Sequence, residues 1–185
     1  MKLVNIFIFI LISLNISIKA NSNDEMQKLL DEGGKLIFIR HAYAPGTGDP
    51  KNFNIKDCST QRNLDSKGKK QSKELGLFFK DKIHLVENIF SSEWCRCKET
   101  SYLAFNNYQT KSFLNSFYDD KFAKNKVSQI SQLKEFISKQ KIKKNFIFVT
   151  HYVVISEMLD YYPKSGEIVV SDRNFNVLKT FNFNY

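Results

Sequence analysis

The chain has 185 residues, 42% hydrophobic and 25% charged, the balance of one soluble domain with a sizeable core, without low-complexity tracts or internal repeats. Its formal charge of +9 suits acidic partners such as phosphorylated metabolites, anionic lipid or nucleic acid. The lysine runs "KGKK" and "KQKIKK" sit in polar helical stretches with no interleaved aromatics, so they indicate a solvated surface and no nucleic-acid partner.

In chain order, Lys2, the apolar stretch "LVNIFIFILISLNISI" and "IKA" before Asn21 form the pattern of a signal peptide over residues 1–20,. Asn15 and Ser17 interrupt the stretch, and it is short for a spanning helix of roughly 20 residues. The expectation is therefore an exported protein, periplasmic in a bacterial cell. Membrane contact is expected only in the alternative where the segment is kept as an anchor. Cleavage removes Lys2 and Lys19 and lowers the charge from +9 to +7.

The rest is expected to form one domain over 24–185. "DEMQKLLDEG" (24–33) is amphipathic and stops at a glycine pair,. "KLIFIR" is a short strand, followed by a long loop over 42–65 with Pro45, Gly46, Gly48 and Pro50, a length that is usually functional inside a compact domain. From Ser66 a helix places Leu75, Phe78 and Phe79 on one face,. "ENIFSS" (87–92) is a second strand, "EWCRCKETSYLAF" a helix and "KSFLNSF" (111–117) a third strand before the acidic turn "YDD". Val127, Ile130, Leu133, Phe136 and Ile137 recur at helical spacing within 127–140. "NFIFVT" is a fourth strand, "VVISEMLDYY" a helix, and "GEIVVSDRNFNVLKTF" a closing hairpin. Strands alternating with helices predict an α/β class: three α/β/α layers around a mostly parallel central sheet with an antiparallel edge hairpin.

Two apolar strands deliver a histidine. "LIFIRH" ends in Arg40 and His41, and "FIFVTH" ends in His151. Parallel strands would bring both to one carboxyl edge of the sheet, with Ser91 and Ser92 at the end of a third. Only four of the 28 basic residues are arginine: Arg40, Arg62, Arg96 and Arg173. In such a lysine-rich chain arginine stands out where a planar, bidentate grip on an oxyanion is needed. A metal would be repelled by guanidiniums beside the imidazoles, so no metal is expected. A dianionic phosphate fits both residue types, with donors from the helix amino terminus after "FSS". A neutral imidazole could then carry the phosphoryl group without any cofactor.

"RHA" after a strand, "SSEWCRCKET" in mid-chain and "VTH" after a late strand resemble the histidine phosphatase superfamily, which includes phosphoglycerate mutase-like enzymes. The stretches "RHAYAPGTGDP…DCSTQRNL" and "THYVVISEML…PKSGEIVV" look most like its small exported members. The resemblance implies that His41 is the phosphorylated nucleophile and that Arg40, Arg96 and His151 form the phosphate pocket, with Arg62 of "TQRNL" in that pocket or at its rim. It implies a small phosphorylated substrate and a phosphoric monoester hydrolase. In that family the general acid often comes from a loop after a middle strand. Asp120 of "NSFYDDK" is preferred here, beside Asp119, with Asp49 of "GTGDP" a further candidate. Ala42 stands where glycine is usual, costly if the backbone there requires positive φ, and Tyr152 stands where a small residue is common.

The function expected is hydrolysis of phosphomonoesters through a phosphohistidine, on sugar phosphates or phosphorylated envelope glycans. A non-catalytic phospho-ligand or envelope-binding protein on the same fold is the alternative from another class. A phosphomutase or a protein phosphohistidine phosphatase also fits the fold, though export disfavours both. Of the three cysteines, Cys95 and Cys97 lie too close on one helix to pair, so an oxidising compartment favours Cys58 with one of them,.

Overall fold

A computed structural model describes residues 24–182, and the expected signal peptide lies outside them. Among the described residues no helix is long and apolar enough to cross a membrane.

The sheet grows from two short apolar runs. β1 (Leu36–Arg40) and β4 (Asn145–Thr150) pair in parallel at its centre. Their side chains alternate between two buried faces, as strands covered on both sides must. Leu36, Phe38, Phe146 and Phe148 face one hydrophobic cluster, and Ile37, Ile39, Ile147 and Val149 face the other. β2 (Val86–Ser91) lies parallel to β4, and a two-residue β3 (Gln109–Thr110) adds to β2. On the other flank β5 (Ile168–Ser171) and β6 (Val177–Phe181) run antiparallel. The order is β3-β2-β4-β1-β5-β6, the mostly parallel sheet with an antiparallel edge hairpin that the sequence predicts.

Helices cover both faces. Leu75 and Phe79 of α2 (Ser66–Phe79), and Met26 and Leu30 of α1 (24–31), fill one cluster together with Cys97 of α3 (Cys95–Phe105). Ile130, Leu133 and Ile137 of α5 (Lys126–Ser138) and Val154, Ile155 and Met158 of α6 (Tyr152–Leu159) fill the other. A short α4 (Asp120–Ala123) precedes α5. Buried Asn145 ties the layers, donating to the carbonyls of Leu30 and Leu85 and accepting from the Lys35 amide.

Two expectations fail in detail. "KSFLNSF" is a 3-10 turn at Ser112–Leu114 and not a strand. Phe113 and Leu114 both pack into the same cluster, which consecutive residues of a strand cannot do. Val127 does not join the apolar stripe of α5. It is 79% exposed on the outer face, and the stripe begins at Ile130.

Cys58 is bonded to Cys95 across 37 residues, and Cys97 is free and buried. The bridge ties the 42–65 loop to the first residue of α3. Its loss removes a constraint on the unfolded chain worth roughly 3–4 kcal/mol in the chain-entropy model. Cys58→Ser should therefore lower the unfolding free energy by that amount in denaturant titrations. An unchanged midpoint, or three free thiols in peptides mapped without reduction, would contradict the tie.

Candidate active site

The carboxyl ends of β1, β2 and β4 lie side by side. The His41 amide donates to the Thr150 carbonyl at 2.9 Å, and the Ser92 amide donates to the Val149 carbonyl at 2.9 Å. This register sets His41, Ser92 and His151 on one edge, where α3 and α6 begin. The far side is closed by Gly166, whose amide donates to the carbonyls of Arg40 and His41. Gly166 has φ +71°, and a Cβ there would run into the Gln71 side chain, so the turn needs glycine. Gln71 accepts from the Tyr43 amide at 2.7 Å and donates to the Ser165 carbonyl at 2.7 Å. Gly68 lets α2 lie against the Tyr43 carbonyl, which a Cβ would strike.

Around this edge is a cavity of about 350 Å³, walled by Arg40, His41, Arg62, Arg96, His151 and Tyr152 together with Asp49 and Asp119. Nδ1 of His41 lies 2.8 Å from its neighbour's carbonyl, that of Ala42. A carbonyl only accepts, so the ring proton sits on Nδ1 and the lone pair on Nε2. That lone pair accepts from Arg96 Nε at 3.2 Å. The other side of Arg96 donates through one terminal nitrogen to Asp49 at 2.9 and 3.2 Å. Asp49 also accepts from the Arg62 amide at 3.0 Å and the Trp94 indole at 3.2 Å.

His151 is oriented by a chain of hydrogen bonds. Ser92 Oγ donates to Asn115 Oδ1 at 3.0 Å, so it accepts from His151 Nε2 at 3.0 Å and from the Trp94 amide at 3.2 Å. Asn115 in turn donates to Glu93 at 2.7 Å. The imidazoles of His41 and His151 meet edge to face with centroids 5.3 Å apart.

Electrostatics keep both imidazoles neutral. Burial pushes the proton affinity of His41 well below the usual histidine range, and the Arg96 charge pushes the same way. Burial and Arg96 do the same to His151. Asp49 is raised by burial, but the Arg96 hydrogen bond and charge outweigh this and hold its carboxyl below the usual range. Burial pushes the Cys97 thiol up to about 12, so it is no thiolate nucleophile. Arg40 donates to the Pro163 carbonyl at 3.0 Å and lies over the Tyr152 ring. Its Nε–H is buried without a partner among the described residues. Three guanidiniums and an unmatched Nε–H donor give the cavity the charge and the hydrogen-bonding capacity to receive an anion,.

No family model matches the chain, and no curated protein sequence does. Solved structures do. A phosphoglycerate mutase from Thermus thermophilus has a TM-score of 0.54 and 15% identity, covering 81% of this chain and 99% of that one. TTHB049 from the same organism has a TM-score of 0.56 and 14% identity, covering 81% and 99%. The protein histidine phosphatase SixA, complexed with tungstate, has a TM-score of 0.51 and 13% identity, covering 79% and 95%. The chain shares the fold of these proteins.

On this fold, five of the residues singled out from sequence converge on one cavity: Arg40, His41, Arg62, Arg96 and His151. Asp120 does not line it. It is an exposed residue in the first turn of α4, whereas Asp119, the N-cap of that helix, lines the cavity. Arg62 serves as wall and as scaffold, donating to the carbonyls of Gly48 and Ala44. The first amide of α3 is not open to an anion, because Cys95 N–H donates to Gln61 Oε1 at 2.9 Å. Ala42 has no positive φ; its amide donates to Thr100 Oγ1 at 3.0 Å, so alanine is unstrained there. Tyr152 does line the cavity. Sequence reasoning missed Ser92 as the partner of His151, although "SSE" at a strand end marked the place.

Both histidines have folded-state affinities below the ordinary value near 6.5, so below that pH the unfolded chain binds more protons than the folded one. The stability they contribute is present above about pH 6.5 and is lost as pH falls, with a limiting slope of about 1.4 kcal/mol per pH unit for each. Denaturant titrations at pH 7.5, 6.5 and 5.5 should show this decline. His151→Asn should remove about half of the slope, and a flat wild-type profile would contradict neutral burial.

Proposed function

We propose that the protein is an exported phosphatase that hydrolyses phosphomonoesters through a phosphohistidine on His41. The observation that carries this reading is the state of the His41 ring: Nδ1–H is tied to the Ala42 carbonyl and the Nε2 lone pair faces Arg96 in a cationic cavity. When a phosphoryl oxygen takes over the Arg96 Nε–H, Nε2 is free to attack phosphorus. The P–N bond forms as the ester P–O bond breaks, and the leaving alkoxide takes a proton from Asp119. Water then attacks phosphorus, its proton passes to the Asp119 carboxylate, and P–N cleavage restores neutral His41. Arg40, Arg96 and Arg62 hold the negative charge throughout, which is the main work in phosphoryl transfer. His151 borders the transferring group and donates to its oxygens once the dianion has drawn a proton onto the ring.

Asp119 replaces Asp120 as the proposed acid because only Asp119 reaches the cavity wall. Asp49 suits the role poorly, since an ionised carboxylate locked to Arg96 has no proton to give. Export rests on residues 1–20, and with it the substrate classes of sugar phosphates and phosphorylated envelope glycans. The non-catalytic alternative loses one of its motives, because Ala42 is unstrained.

Purified protein should hydrolyse an aryl phosphate, and His41→Ala should abolish turnover. Arg96→Lys keeps charge but loses the fork. A lost charge-assisted hydrogen bond of ~1.5–3 kcal/mol gives roughly a ten- to hundredfold fall in kcat/KM. Asp119→Asn should slow alkyl phosphates, which need leaving-group protonation, far more than aryl phosphates, whereas Asp120→Asn should change neither. Full activity in His41→Ala would exclude the phosphohistidine route.

A further inference from the structure

A second hollow, of about 730 Å³, adjoins the catalytic cavity; Trp94, Ser116 and Phe122 line both. Aromatic rings form one wall. Phe53 stacks on Trp94 with centroids 4.9 Å apart, and Phe122 meets each of them edge-on at 5.4 Å. The remaining lining comes from the 51–55 segment, the 112–116 turn, Lys121 of α4 and residues 125–132 leading into α5, and it consists largely of amides, hydroxyls and two lysines. No carboxylate lines it among the described residues.

Part of this polar lining is already spent. Gln129 donates to the carbonyls of Ser112 and Asn115 at 2.9 and 3.1 Å. Other groups are not. Among the described residues, the side chains of Lys51, Ser112, Asn125 and Gln132 make no hydrogen bond or ion pair with the rest of the fold. Lys121 lies over the rings of Phe53 and Phe122 at 5.1 and 5.0 Å and pairs loosely with Asp119 at 3.9 Å. It thus stands where the second hollow meets the catalytic wall.

We infer that this hollow binds the leaving group of the substrate, and that the leaving group is an acidic glycan. The inference rests on the phosphatase reading of the adjoining cavity. Aromatic rings offer flat apolar surfaces to the C–H faces of a sugar. Unspent primary amides, each both donor and acceptor, match vicinal hydroxyls. Two ammoniums, Lys51 unpaired among the described residues and Lys121 only loosely paired with Asp119, favour a further anionic group, a uronate or a second phosphate, beyond the one being transferred,. With twice the volume of the catalytic cavity, the hollow extends the site to more than one sugar unit.

Two measurements test this on the purified protein. Trigalacturonic acid, which carries no phosphate, should shift the NMR signals of Trp94, Phe122 and Gln132 in a saturable titration, whatever the catalytic outcome. A hexuronate-terminated oligosaccharide phosphate should be hydrolysed with kcat/KM at least tenfold above the matching monosaccharide phosphate. In the double variant Lys51→Ala, Gln132→Ala that ratio should fall to about one. No shifts with the trisaccharide together with equal rates on long and short substrates would overturn the inference, as would a preference for nucleoside monophosphates or phosphopeptides. Failure of the protein to hydrolyse any phosphate ester would instead overturn the phosphatase reading, and the titration would still decide whether the hollow binds a glycan.

Discussion

Arg96 is the charge around which the carboxyl edge of the sheet is organised. Its side chain is 3% exposed and that of Asp49 is 8% exposed, and burying two such ions costs several kcal/mol each unless their geometry and remaining hydrogen bonds are satisfied. Much of the 42–65 loop serves that end. Arg62 and Trp94 hold the Asp49 carboxylate, Arg62 grips the loop's own carbonyls, and Gln61 binds the first amide of the Arg96 helix. Cys58–Cys95 ties the same two segments covalently. The long loop is thereby a rigid wall whose central product is a guanidinium aimed at His41.

The same arrangement sets the chemistry of the two imidazoles. Each is stripped of water and faced by Arg96, so each is neutral where an exposed histidine would be partly charged. A neutral ring with its proton fixed on Nδ1 presents one nucleophilic atom. The buried Nε–H of Arg40 has no partner among the described residues, a cost that the phosphoryl oxygen of the proposed mechanism would offset. Most polar groups at these strand ends are paired with one another, and under the proposed mechanism the unmatched Nε–H of Arg40 and the cavity's net positive charge are left for the phosphoryl group,.

The architecture and most of the cavity were legible in the residues, for local reasons. Apolar runs ending in Arg40–His41 and in His151 announce strand ends, and of the four arginines that stand out in a lysine-rich chain, Arg40, Arg62 and Arg96 line the cavity while Arg173 donates to the Ile137 and Gln140 carbonyls instead. Cysteine spacing narrowed the bridge to two choices. The unread parts depend on contacts distant in sequence. Asp49 meets Arg96 across 47 residues, and Ser92 meets His151 across 59, with no local pattern to join them. Asp119 and Asp120 differ only in which begins α4, a choice fixed by the cap that Asp119 makes to the Lys121 amide. The third strand failed for a similar reason, since α5 claims both Phe113 and Leu114.

The central claim is that the fold delivers Nε2 of His41, and no other atom, to phosphorus. Rapid acid-free quenching after mixing enzyme with a phosphomonoester, followed by phosphorus NMR and peptide mapping, tests it directly. The account predicts an acid-labile phosphoenzyme carrying one phosphoryl group on Nε2 of His41. Phosphate on Nδ1, on His151 or on any other side chain would contradict it.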